Sequence, residues 1–252
     1  MKFFSNLVNG FRMFRSIGVF NNLFRDIDEI RQSSDLEKER ELIASSTAVW
    51  VNSVMDIFDM TFDIEGRENI PEGPCVFISN HQGYADILIM IKACEGKQVG
   101  FIAKENLEKL PYFGKWIKAI RGVFIKRGDA RESLKSIKEG VDLLKQGFSL
   151  VIFPEGTRSK GKDMAEFKAG SFKLATKAKV PVVPVAIQGT YRMFEDDGVI
   201  KHGTHSYARI LEPFDTAAMD RKELANLHTK VEDIIRENLE DLRKNDPQYK
   251  PL

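Results

Sequence analysis

Residues 75–91 read CVFISNHQGYADILIMI. Cys75 to Ser79 is a short apolar, β-prone run that reads as a buried strand. It delivers the chain to Asn80 and His81, and Asp86 then enters the first turn of a helix running through Ile91. A strand that leads into a helix, with polar side chains gathered at the strand's carboxyl end, is how α/β sheets present functional groups. His81 and Asp86 are five residues apart, and on a regular helix that step would set them about 140° from each other. They meet only if the chain turns first. Gly83 permits such a turn, and the positive end of the helix dipole favours a carboxylate at Asp86. In that geometry Asp86 holds one imidazole nitrogen of His81 and leaves the other free, which makes His81 a general base for a hydroxyl.

The same alternation of short β-rich runs and helical periods extends outward from this stretch. Phe62 to Ile64 reads as a strand, and Pro71 with Gly73 as a turn. Gly122 to Lys126 is a further apolar run. Asp129 suits the N-cap of a helix through Gln146, with Leu134, Ile137, Val141 and Leu144 at core spacing and Gly147 at its end. Phe148 to Phe153 follows as a strand, which makes a βαβ unit with parallel pairing. Gly170 to Lys179 reads as a short helix. Val182 to Gln188 reads as a strand that tolerates Pro184 only at an edge or bulge. Asp220 and Glu223 resemble a capping box before a final amphipathic helix carrying Leu224, Leu227, Val231, Ile234 and Leu242. The expected fold over residues 61–252 is α/β, with a mixed, mostly parallel central sheet flanked by helices.

Residues 1–60 differ in texture. The first 25 contain Lys2, Arg12, Arg15 and Arg25 with no acid, beside Phe3, Phe4, Phe11, Phe14, Phe20 and Phe24. Phe4, Leu7, Val8, Phe11 and Phe14 share one helical face. Such a helix can bury its rings in a lipid headgroup layer while its cations face anionic lipid, or its rings can simply pack on the domain. A second helix from Asp35 to Met60 completes a two-helix arm, with Phe4, Phe11, Phe14, Arg12 and Arg15 as its membrane-docking candidates. The longest uncharged stretch of that helix, Leu42 to Met55, is shorter than the roughly 20 residues a spanning helix needs. Arg12 and Arg15 interrupt the only candidate for a secretory signal.

Composition narrows the function classes. With 42% hydrophobic and 30% charged residues over 252 positions, the chain can bury a full core. Its 38 Lys and Arg nearly balance 37 Asp and Glu, so no global basic field draws it onto nucleic acid. Cys75 and Cys94 form no CxxC pair and have no His at ligand spacing. Neither a disulfide framework nor a metal site is expected, and cytoplasmic chemistry is the default expectation. Gly156, Gly161 and Lys162 spell GxxxxGK, but Asp163 stands where a P-loop needs Ser or Thr. His202, His205 and His228 read as surface or loop residues.

Four further blocks place a cation or a turn just past an apolar run. They are KENLEKLPYFG from Lys104, GVFIKR ending at Arg127, FPEGTR over Phe153–Arg158, and VPVVPVAI from Val180. A phosphate monoester carries close to two negative charges, and bidentate Arg contacts hold it well. Arg127 and Arg158 suit that task. Glu155, Gly156 and Thr157 form a tight turn whose backbone amides can point at an anion.

Across about Phe62 to Gly189, these blocks and the HxxxxD pair resemble, in order and content, the glycerolipid acyltransferase family that includes the 1-acylglycerol-3-phosphate acyltransferases. The resemblance implies His81 as base and Asp86 as its orienting partner. It assigns glycerol phosphate binding to Arg127, Glu155, Gly156, Thr157 and Arg158, with Lys104 a further phosphate candidate. Many members read HQSxxD, whereas this chain has Gly83 where that Ser would stand. The implied activity is transfer of a fatty acyl group from acyl-CoA or acyl-ACP to the free sn-2 hydroxyl of 1-acylglycerol 3-phosphate, giving phosphatidic acid in phospholipid synthesis. No bound cofactor is implied. The implied partners are a lysophospholipid acceptor, an acyl thioester donor on coenzyme A or acyl carrier protein, and a membrane surface. The implied location is the cytoplasmic face of a membrane, peripheral or monotopic. Rival readings are an acyltransferase for another lysolipid or glycerol 3-phosphate, a thioesterase, and a non-catalytic lipid-binding module.

Overall fold

Three runs of sequence, Val76–Ser79, Ser149–Ile152 and Val182–Gln188, are buried at every residue. A strand can lose water on both faces only inside a sheet covered by helices on each side, and those three strands form the middle of this one. The computed structural model describes residues 7–12, 16, 21–110, 112–126 and 130–249. Its elements, in chain order, are α1 (Asn21–Ser33), α2 (Leu36–Phe58), β1 (Thr61–Glu65), β2 (Val76–Ser79), α3 (Asp86–Ala93) and β3 (Val99–Lys104). They continue with α4 (Phe113–Ala119), β4 (Val123–Ile125), α5 (Ala130–Lys145), β5 (Ser149–Ile152), α6 (Lys173–Ala178), β6 (Val182–Gln188), β7 (His205–Ile210) and α7 (Arg221–Asn245). The sheet runs β1-β7-β6-β2-β5-β3-β4. Every neighbouring pair is parallel except β6 with β7. The fold is α/β with a mixed, mostly parallel sheet, as expected.

Alternation along the central strands divides the core in two. Phe77, Val151 and Val183 face a layer that includes α3 and α4, while Val76, Ile78, Leu150, Ile152 and Val182 face α5, α6 and α7. Two expected helix faces are corrected. Leu134 on α5 is exposed, whereas Val141 and Leu144 are buried. On α7 the buried stripe is Leu227, Val231, Ile235, Leu239 and Leu242, with Leu224 and Ile234 only half buried. Steps of four keep a helix on one face, and Ile234 lies one residue, about 100°, off that line. The Asp220–Glu223 capping box is present. Asp129, the expected N-cap of α5, lies outside the described residues.

Pro184 sits in an interior strand, between β2 and β7, and not at a sheet edge. The ladder accommodates it through a bulge. Between the Val185–Ile210 pair and the Val182–Phe214 bridge, three steps along β6 match four along the partner. The Pro184 carbonyl still accepts from the Leu211 amide at 2.9 Å. A residue's C=O and N–H point to the same neighbour in a strand, so the N–H that proline lacks would have faced this bulge.

The N-terminal helices share the core of the sheet. Ile27, Ile43, Trp50, Val51, Val54 and Phe58 belong to the same cluster as Phe77 and Val183, and Trp50 meets Trp116 of α4 with ring centroids 4.8 Å apart. Residues 7–12 are helical. Phe11 and Arg12 are exposed there, together with Leu7 and Val8, while Phe4, Phe14 and Arg15 lie outside the described residues. No helix among the described residues is long and apolar enough to cross a membrane.

A buried carboxylate ties the arm to the sheet. Glu39, in the first turn of α2, is 1% exposed and accepts from Arg31 Nε at 2.8 Å and from Arg121 Nε and Nη2 at 2.7 Å each. Arg31 also donates to the Ala119 carbonyl at 2.6 Å. Glu39→Ala leaves two guanidiniums without their shared anion. Because both retain some access to water, the expected cost lies at the lower end for a broken buried pair, about 3 kcal/mol. Urea unfolding of the two proteins measures it, and a change within error of zero would contradict the clamp.

Candidate active site

The carboxyl ends of β2 and β5 open side by side, and the loops that leave them are stitched together. His81 follows β2 by two residues and Glu155 follows β5 by three. The amide of Ser159 donates to the His81 carbonyl at 2.8 Å and that of Lys160 to the Gln82 carbonyl at 3.1 Å. Glu155 Oε1 accepts from the His81 amide at 2.6 Å, and its Oε2 from the Ala165 amide at 2.9 Å.

The turn expected at Gly83 brings the pair together. His81 Nδ1 lies 2.6 Å from Asp86 Oδ2, and the same oxygen accepts from the Gln82 amide at 2.6 Å and the Gly83 amide at 3.0 Å. Thr190 Oγ1 donates to the other oxygen, Oδ1. Asp86 is fully buried, while His81 is 21% exposed with its ring stacked on Phe153 at 4.3 Å. With Asp86 on Nδ1–H, Nε2 is left as the acceptor. That nitrogen has no hydrogen-bond partner among the described residues, as a base awaiting a proton requires.

Arg158 is held by two residues next to Gly83, Glu195 and Tyr84. Its Nη1 donates to Glu195 Oε1 at 2.7 Å, and its guanidinium lies over the Tyr84 ring, 3.7 Å from the centroid. Glu195 Oε1 also accepts from the Tyr84 amide at 3.0 Å, while Oε2 is buried without a partner among the described residues. Burial holds the Glu195 carboxyl above its ordinary value. Gly83 is explained here. A Cβ at that position would stand 2.5 Å from Glu195 Oε2 and 3.2 Å from the Tyr191 Cα.

His81, Asp86, Glu155 and Arg158 thus form one cluster. Gly156, with φ of 71°, makes the tight turn, and Thr157 is exposed beside it. Lys104 ends β3, two strands from β2 along the same sheet edge, and is exposed. Arg127 lies outside the described residues. The GxxxxGK match forms no P-loop, since no helix starts at Lys162. His205 is engaged by Thr61 and Asp63, and His228 packs near Phe172. Among the described residues, no three His, Cys, Asp or Glu side chains gather as a metal site. Thr190, Glu195, Tyr84 and Gln82 were not singled out from sequence. Thr190 carried a faint signal, because it follows the glycine that ends the VPVVPVAI strand. Glu195 carried none.

A family model described as Acyltransferase matches residues 61–188. A chloroplastic 1-acyl-sn-glycerol-3-phosphate acyltransferase of Brassica napus is 39% identical over 146 residues, 56% of this chain and 42% of that protein. The Saccharomyces cerevisiae protein named 1-acyl-sn-glycerol-3-phosphate acyltransferase is 31% identical over 184 residues, covering 71% of this chain and 60% of that one. The chain therefore spans about half the length of these relatives. The crystal structure of the 1-acyl-sn-glycerophosphate acyltransferase PlsC from Thermotoga maritima superposes with a TM-score of 0.77 at 27% identity, covering all of both chains.

Two measurements probe this geometry. Glu195 is pinned, so Gly83→Ser displaces it and is expected to cost about 1–3 kcal/mol as overpacking does. Glu195→Ala in the same chain makes room and should recover most of that loss, whereas additive costs would rule out the contact. Glu155 supplies the second. Burial raises its carboxyl from 4.5 to about 7, against the downward pull of the Ala165 and His81 amides. The folded state then holds the proton more tightly than the unfolded chain, so stability declines as pH rises from about 4.5 to about 7 and levels off above. Urea midpoints of Glu155→Gln, which stays neutral, should lack that decline. Parallel curves for the two proteins would contradict it.

Proposed function

Since this chain belongs to the acyltransferase family, by the model match over residues 61–188, we propose that it transfers a fatty acyl group from a thioester donor to the sn-2 hydroxyl of 1-acylglycerol 3-phosphate. The product is phosphatidic acid. The observation that carries the reading is the 2.6 Å contact of His81 Nδ1 with Asp86, which leaves Nε2 as the acceptor, on a loop bonded through Ser159 to the turn that bears Arg158. Nε2 takes the hydroxyl proton as the acceptor oxygen attacks the thioester carbonyl carbon. Asp86 stabilises the imidazolium that forms. The tetrahedral intermediate collapses by breaking the C–S bond, and the imidazolium proton goes to the departing thiolate. A thiolate leaves easily, so the protein mainly supplies orientation, a base and charge stabilisation. Coenzyme A or acyl carrier protein is the donor's carrier.

Arg158, the Glu155–Thr157 turn, Lys104 and Arg127 are the groups proposed to hold the acceptor phosphate. Arg158 has its Nη1 on Glu195, which fixes the guanidinium and leaves its other N–H groups for a ligand.

The exposed Leu7, Val8 and Phe11 support docking on a lipid surface, with residues 1–60 as the docking arm and 61–252 as the catalytic domain. Asn9 donates to the Ile200 carbonyl and touches His202, just before β7. Because β7 runs antiparallel to β6, its start lies at the edge where β6 ends, which is also the edge of His81. An acceptor and a donor that both partition into lipid would reach the site there. The cytoplasmic face of a membrane, bound peripherally, is the proposed location.

Purified protein assayed with acyl-CoA and acyl-ACP against lysophosphatidate, glycerol 3-phosphate and lysophosphatidylcholine tests the reading. Lysophosphatidate should be the preferred acceptor. His81→Ala should lose at least about 10²–10⁴ in rate with vesicle attachment unchanged. Turnover that survives His81→Ala, full-rate thiol release without acceptor, or indifference to the acceptor phosphate would each refute a stated part of it.

A further inference from the structure

The Asp86 carboxylate is fully buried, and a buried carboxylate must have its oxygens satisfied. Three donors converge on Oδ2: the His81 ring and the amides of Gln82 and Gly83. Oδ1 has a single donor among the described residues, the Thr190 hydroxyl. The terminal torsion of an aspartate is broad, so the donors it meets set its rotation. Without the Thr190 bond, Oδ1 would be a buried carboxylate oxygen with no donor among the described residues, and the group would gain by turning to find one at the expense of the three bonds on Oδ2.

Thr190 belongs to a segment that follows the active loop residue by residue. Asn80 exchanges two 2.8 Å hydrogen bonds with the Ile187 backbone. Gln82 accepts from the Gly189 amide at 2.8 Å and donates to Gln188 Oε1 at 2.9 Å. Asp86 meets Thr190. Gly189 adopts φ of 96°, and a Cβ there would stand 2.9 Å from the His205 carbonyl, so the turn that aims Thr190 requires glycine. The segment is anchored in turn, since Gln188 donates to Asp246 at 2.9 Å and Arg192 pairs with the same carboxylate. Thr190 itself is 1% exposed, so it touches no substrate.

From this we infer that Thr190 is a positioning residue for acyl transfer, holding the Asp86 carboxylate in the rotation that orients His81. The inference rests on the reading of His81 as the base. It extends the active site to the exit of β6, a part of the chain outside the HxxxxD pair.

The test compares Thr190→Val, which keeps the shape and removes the hydroxyl, with Thr190→Ser, which keeps the hydroxyl. With Thr190→Val, kcat should fall about 10- to 100-fold while KM for lysophosphatidate and for acyl donor stays within about threefold. Thr190→Ser should remain within about threefold of the parent in kcat. NMR of ¹⁵N-labelled imidazole gives a readout independent of turnover: parent and Ser variant keep the His81 proton on Nδ1, and the Val variant loses that uniform state. Should Thr190→Val fail to fold, Thr190→Ala carries the same comparison. Unchanged kcat with an unchanged ring signature, a loss confined to KM, or a Ser variant no better than Val would overturn the inference. A parent protein that transfers nothing to lysophosphatidate would instead overturn the functional reading, and the ring signature would still decide the role of Thr190.

Discussion

The buried carboxylate of Asp86 is the constraint on which the rest of the site depends. Four donors meet on it, from His81, Gln82, Gly83 and Thr190, and together they repay the desolvation of a charge far from water. Because two of the donors are backbone amides, the carboxylate also dictates the path of the chain from residue 81 to the start of α3. The turn, the helix start and the imidazole orientation are therefore one structural event.

Around that centre the sheet acts as a rigid edge and the loops as its fittings. The loops after β2 and β5 are joined by backbone bonds and by Glu155, whose carboxylate bridges the His81 and Ala165 amides. The loop after β6 closes the other side. Arg158 is held between an aromatic face and a buried acid, which restricts a long side chain that would otherwise sample many rotamers. His81 and a cation are thereby fixed to one frame.

The arm is joined to this frame by packing and by charge. Its apolar face shares the core of the sheet, and the buried Glu39 gathers the half-buried Arg31 and Arg121 around one carboxylate. Leu7, Val8 and Phe11 are exposed on the helical segment whose Asn9 meets the loop that enters β7, at the sheet edge that bears His81.

The sequence by itself determined the strand, turn and helix around His81 and the meeting of His81 with Asp86, but not β3, α4 or β7. The run of Cys75 to Ile91 read correctly as strand, turn and helix, and Gly83 was legible as the turn that lets His81 meet Asp86. These are local matters, set by period, by turn chemistry and by a spacing of five. Pro184 marked an edge or a bulge but could not say which, because strand order depends on pairings between distant segments. Ile235 and Leu239 entered the core, and Leu134 left it, because the neighbouring layer chooses which side of a wide apolar stripe is covered. Only the tertiary structure brought Thr190 to Asp86 and Glu195 to Gly83, across more than a hundred residues of chain. A hydroxyl or a carboxylate has no periodic signature, and its role exists only once folding has decided what stands within hydrogen-bond reach.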